Sequence, residues 1–134
     1  MVTVALMFAA AGGAQAAFVS SPSLVTEVTV GSGPRGIAIT PDGRNLYVAN
    51  TGSNTVSVID TSTRTVLHTI SVGSTPIGVA INPAGTKVYV TNYGAASVSV
   101  IDTSTNTVTG GTISVGTNPY GIAINSAGTH AYVT

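Results

Sequence analysis

One stretch of this chain is written three times. Val30-Gly31-Ser32-Gly33-Pro34-Arg35-Gly36-Ile37-Ala38-Ile39 returns as Val72-Gly73-Ser74-Thr75-Pro76-Ile77-Gly78-Val79-Ala80-Ile81, and again as Val115-Gly116-Thr117-Asn118-Pro119-Tyr120-Gly121-Ile122-Ala123-Ile124. The prolines stand 42 and then 43 residues apart, the extra residue falling at Gly110-Gly111. Between them, Leu46-Tyr47-Val48-Ala49-Asn50 matches Val88-Tyr89-Val90-Thr91-Asn92, and Thr55-Val56-Ser57-Val58-Ile59-Asp60-Thr61 matches Ser97-Val98-Ser99-Val100-Ile101-Asp102-Thr103. A chain with this period folds as stacked units, each burying its apolar face against its neighbours.

Each period holds four short β-like runs divided by turn residues. In the first unit they are Gly36 to Thr40, Asn45 to Ala49, Thr55 to Asp60 and Thr65 to Val72. Pro41-Asp42-Gly43 closes the first run, because Pro fixes φ and Gly accepts a positive φ. No window spaces its apolar residues at three and four, so no helix is expected beyond the N-terminal segment. Four strands in a unit of 42 residues predict a β-propeller blade, and the fold class is all-β. Gly36 and Ala38 share one side of the first run, and small residues suit an innermost strand where blades converge. The second and third runs are apolar on both sides, as a sheet between two other sheets requires.

Charge is scarce: only 6% of residues are charged and the formal net charge is zero. An average soluble domain carries about 25%. No basic stripe exists to neutralise phosphates, so nucleic acid is not an expected partner. The chain has no Cys, which excludes disulfides, thiolate catalysis and Cys-based zinc sites. After the first residues no apolar stretch reaches the length of about 18 that a transmembrane helix needs.

Met1 to Phe8 is almost wholly apolar and leads into Ala9-Ala10-Ala11-Gly12-Gly13-Ala14-Gln15-Ala16-Ala17. Ala14-Gln15-Ala16 fits the small-x-small pattern of a signal-peptidase site, with cleavage before Ala17. No Lys or Arg precedes the apolar run, so the charged start of such a peptide is missing, and the alternative reading of the segment is a buried apolar helix. The expected organisation is therefore a signal peptide at 1–16, then 17–29 as a leader with the last strand of a preceding blade. Blade 1 follows at 30–71, blade 2 at 72–114, and the first half of blade 3 at 115–134. With the signal removed, no transmembrane anchor is expected, and the location is secreted, periplasmic or cell-surface.

Gly-Ile-Ala-Ile-x-Pro-x-Gly, Tyr-Val-x-Asn and Val-Ser-Val-Ile-Asp-Thr together resemble the YVTN family of repeat proteins, and Tyr89-Val90-Thr91-Asn92 is that tetrapeptide itself. The resemblance covers residues 24–134. It implies ring-shaped propellers, exported or placed in surface layers, with lactonase-like relatives at the level of fold. Closed rings take about four to eight blades, whereas two and a half are written here. The chain thus reads as part of a longer frame, the alternative being a homo-oligomer in which several chains complete one ring.

Candidate sites are few. Gly31-Ser32-Gly33-Pro34-Arg35-Gly36 matches a dinucleotide fingerprint, but that motif needs a helix to follow and here a β run does. It reads as the blade-to-blade connector. Asp60 and Asp102 close equivalent strands before Thr-Ser-Thr and read as turn formers. His68 and His130 occupy non-equivalent strands with no partner at metal-ligand spacing. No catalytic, cofactor or metal residues are assigned. The remaining candidate is a binding face, where blade connectors and the loops between second and third strands emerge together. It gathers Arg35, Asn50, Ser53, Asn54, Ile77, Asn92, Tyr93 and Tyr120. Loops on a rigid scaffold carry function more often than the scaffold does. The expected function is an exported, non-catalytic scaffold for a protein or cell-envelope ligand. The alternative is part of a propeller enzyme, such as a lactonase-like hydrolase, whose catalytic groups lie in other blades.

Overall fold

The computed structural model describes residues 4–10, 13–20 and 23–134, with side-chain surroundings from Glu27 onward. Residues 1–3 and 11–12 of the expected signal peptide, and residues 21–22 of the leader, lie outside the described residues.

Strands β4 (Pro34–Ile39), β5 (Asn45–Asn50), β6 (Thr55–Asp60) and β7 (Thr65–Ser71) form one antiparallel sheet in the order β4-β5-β6-β7. Strands β8 (Pro76–Ile81), β9 (Lys87–Asn92), β10 (Ser97–Asp102) and β11 (Thr107–Ser114) repeat that order. A hairpin of β12 (Ile122–Ile124) and β13 (Ala131–Val133) begins the next unit. Before them, β1 (Val4–Ala10), β2 (Gly13–Ser20) and β3 (Ser23–Val30) form a three-stranded antiparallel sheet. Among the described residues there is no α-helix, only a 3-10 turn at Tyr93–Ala95. The fold is all-β, built of four-stranded propeller blades. The first strands of blades 1 and 2 start two residues earlier than their sequence predicts, because Pro34 and Pro76 pair with Asn50 and Asn92 across a bulge.

The core lies between blades. Val28, Val30, Ile37, Leu46, Val48 and Ile59 pack together where β3 meets blade 1. Shifted by one 42-residue repeat, these positions become Ile70, Val72, Val79, Val88, Val90 and Ile101, all members of the cluster between blades 1 and 2. Blade 1 adds Tyr47, Ala49, Val56 and Val58 to that second cluster. Tyr47 also donates its hydroxyl to Asn106 Oδ1 of blade 2 at 2.8 Å. Both faces of the middle strands are thus buried, and the apolar-on-both-sides pattern follows from it.

Glycine is required where innermost strands meet. A Cβ built on Gly36 would strike the carbonyl oxygen of Ile77. One built on Gly78 would sit 2.5 Å from the carbonyl oxygen of Tyr120. Only a hydrogen atom fits between these backbones.

Turns are closed by polar side chains. Asp60 Oδ1 accepts the N–H groups of Ser62 at 2.8 Å and Thr63 at 2.9 Å, and the Ser62 hydroxyl at 2.6 Å. Asp102 repeats the arrangement with Ser104 and adds an ion pair to Lys87 Nζ at 2.7 Å. The Ser62 hydroxyl, then the Thr63 N–H, hold the Asp60 carboxyl below its ordinary value of 3.8. Lys87, then the Ser104 hydroxyl, do the same for Asp102. Asp42 is lowered by the Thr40 hydroxyl and then the Arg44 N–H.

Each of these folded-state values lies below the unfolded one, so their stabilisation is present above 3.8 and is lost as pH falls through the depressed values. The thermal midpoint is expected to hold down to about pH 5 and to fall below pH 4. Asp60→Asn with Asp102→Asn should flatten that fall; an unchanged acid limb would remove these turns as its cause.

Candidate binding face

The blade connectors and the second loops of each blade come out on one side and are laced together by backbone hydrogen bonds. Thr51 N–H donates to the Gly33 carbonyl and Gly52 N–H to Ser32, both at 2.9 Å. In the next blade Tyr93 N–H donates to Thr75 at 2.9 Å and Gly94 N–H to Ser74 at 3.1 Å. Contacts between blades hold the same side. The Thr51 hydroxyl donates to the Pro76 carbonyl at 2.6 Å, and Asn54 Oδ1 accepts the Thr75 N–H at 2.8 Å. Thr91 Oγ1 accepts the Gly78 N–H at 2.8 Å and donates to the Tyr120 carbonyl at 2.9 Å.

Five of the eight expected face residues are exposed on this scaffold: Arg35, Ser53, Asn54, Tyr93 and Tyr120. Tyr120 is 53% exposed and Tyr93 36%. Asn50, Asn92 and Ile77 are corrections, because all three are buried. Asn50 ends β5 beneath the connector at Gly31, and its Nδ2 donates to Thr55 Oγ1 at 3.1 Å and Ser57 Oγ at 3.0 Å. Asn92 does the same beneath Gly73, donating to Ser97 at 3.1 Å and Ser99 at 2.9 Å. Ile77, 8% exposed, sits where the β8 backbone presses against Gly36. These three build the platform beneath the face, with Asn50 and Asn92 closed off from solvent altogether. Sequence reasoning missed the platform threonines, Thr51 and Thr91, although Thr91 lies inside the repeated tetrapeptide.

Other candidates separate rather than converge. Asp60 and Asp102 each serve their own turn. His68 is exposed on β7, while His130 stacks on Tyr132 with centroids 6.4 Å apart. Gly31 to Gly33 form the connector and Pro34 to Gly36 already belong to β4, with no helix after it. A groove of about 340 Å³ on the turn side runs past Thr40, Asp42, Asn45, Ala84 and Thr103. Its one carboxylate, Asp42, is already bonded by Thr40 at 2.6 Å. Among the described residues no three His, Asp or Glu side chains gather closely enough to hold a metal ion. No helix among the described residues is long and apolar enough to cross a membrane.

The model of one protein family, the choice-of-anchor I domain, matches residues 14–134. The chain belongs to the choice-of-anchor I domain family. Among solved structures, these choice-of-anchor I blades are similar to hydrazine synthase of Kuenenia stuttgartiensis, with a TM-score of 0.84 and 31% identity. That match covers 89% of this chain and 35% of the other. A functionally unknown protein from Desulfotomaculum acetoxidans DSM 771 gives a TM-score of 0.77 at 20% identity, over 90% of this chain and 41% of that one, and shows the fold alone. A stretch of 33 residues is 64% identical to PE-PGRS family protein PE_PGRS18 of Mycobacterium tuberculosis (strain ATCC 25618 / H37Rv), covering 25% of this chain and 7% of that protein. The choice-of-anchor I chain thus spans about a third of the hydrazine synthase chain.

Proposed function

We propose that this choice-of-anchor I chain is an exported, cell-surface binding and structural scaffold that performs no catalysis itself. The observation that carries this reading is the connector face, where Tyr93 and Tyr120 stand exposed on loops tied down by hydrogen bonds between blades and Arg35 stands exposed at the start of β4. Rigid loops lose little conformational freedom on binding, and Tyr offers a large flat contact with a polar tip. The family's description by a choice of anchor supports a surface setting. The YVTN resemblance, carried by Tyr89-Val90-Thr91-Asn92, points to the same architecture. The partner is a protein or cell-envelope ligand, and a homo-oligomer that completes a ring is a further form of the same scaffold.

Isolated cell envelopes are the probe. Replacing Tyr93 and Tyr120 together by Ala should lower co-sedimentation with envelopes by about tenfold or more, the range of interface anchor residues. Both side chains are exposed, so the thermal midpoint should stay near that of the parent chain. Full retention by the double variant would dismiss this face.

A second reading, part of an enzyme, is favoured by the 31% identity to a chain of hydrazine synthase. In the blades present here the innermost strands read Gly36-Ile37-Ala38-Ile39-Thr40, Gly78-Val79-Ala80-Ile81-Asn82 and Gly121-Ile122-Ala123-Ile124-Asn125. They bring no carboxylate or His for acid–base work. Lactone hydrolysis by the purified chain, lost on adding a chelator, would favour the enzyme over the scaffold.

A further inference from the structure

We infer that residues 4–30 are the second, third and fourth strands of a further blade, so that the apolar segment that reads as a cleavable leader stays in the folded protein. The order β1-β2-β3 is that of β5-β6-β7. The irregularities agree as well: β3 skips Val25 between Thr26 and Leu24, and β7 skips Leu67 between His68 and Val66. Val25 and Leu67 stand 42 residues apart, one repeat.

Packing repeats with the same offset. Val28 and Val30 meet blade 1 as Ile70 and Val72 meet blade 2, against partners that are each one repeat apart. Strand pairing then fixes what β1 and β2 place at the positions of β5 and β6. Ala5 pairs with Phe18 where Tyr47 pairs with Val58, and Met7 with Ala16 where Ala49 pairs with Val56. Tyr47, Ala49, Val56 and Val58 are the residues that blade 1 buries against blade 2. Their counterparts are all apolar, and the large and small members of the first pair have exchanged strands. A segment with this duty must be apolar for the sake of the sheet, whether or not any export machinery reads it.

The position of the expected cleavage site also fits a blade better than a leader. Cleavage before Ala17 would fall inside β2, removing β1 and the first half of β2, and the family match already begins at residue 14. The exported setting proposed above rests on the family and not on this cleavage, so either idea can fail alone.

Amide hydrogen exchange on the full chain tests the inference, together with N-terminal sequencing of material recovered from the exported fraction. Residues 13–20 should exchange slowly, with protection like that of β6, and no sequenced chain should begin at Ala17. Phe18→Ala should lower the urea midpoint at least as much as Val58→Ala. Exchange of residues 13–20 at the rate of an unfolded peptide, chains beginning at Ala17, or an unshifted Phe18→Ala midpoint would each overturn it.

Discussion

Gly36→Val is expected to be the most damaging single substitution in the described part of the chain, costing about 3 kcal/mol or more. The new side chain would enter the space held by the Ile77 carbonyl oxygen. A flexible side chain could swing aside, but this obstacle is backbone. Ile77 lies in β8, between Pro76, which pairs with Asn92, and Val79, which pairs with Val90. Moving it would pull apart either that sheet or the seam between blades. Gly116 supplies the control. A Cβ there meets nothing within 4 Å, so Gly116→Ala should change stability by less than about 0.5 kcal/mol. Urea unfolding followed by circular dichroism separates the two. A Gly36→Val chain with the parent midpoint would mean that the innermost strands do not approach as described.

Ile59→Ala and Ile101→Ala come next, each expected to cost about 2–5 kcal/mol. Both side chains are fully buried. Large-to-small changes in a packed core lose the transfer energy of the removed atoms and leave a cavity that neighbours fill only in part. The informative quantity is the difference between the two. Ile59 and Ile101 occupy the same place in clusters one repeat apart, so their costs should agree within about 1 kcal/mol. The two belong to different clusters, so the double variant should be additive within about 0.5 kcal/mol. A strong inequality between the two single variants would show that the seams, alike in geometry, differ in how far they can collapse.

The repeat made the blades legible because period and turn chemistry agree at every level. Thr55 to Asp60 was readable to the residue, since Asn54 and Thr61 flank an apolar run with no competing pattern. The glycines of the innermost strands were readable for the same reason, as small residues recurring where backbones converge. Asn50, Asn92 and Ile77 were not. A polar residue ending a strand resembles a loop residue in sequence, and what buries it is a connector about twenty residues away. The N-terminal segment shows the other limit. A short apolar run fits a leader and a strand buried on both faces equally well, and only its pairing partners decide between them.

The one-repeat offset between the two packed seams has a consequence for how such a chain can grow. Each unit meets its predecessor with one set of residues and its successor with another, and both sets are carried inside every cassette of 42 residues. A gene that duplicates one cassette by unequal crossing-over therefore produces two surfaces that already match. No new complementarity has to arise, because the cohesion is a sum of nearest-neighbour terms. Selection can then act on the loops of the added unit alone, where a side chain such as Tyr93 or Tyr120 can change without cost to the stack.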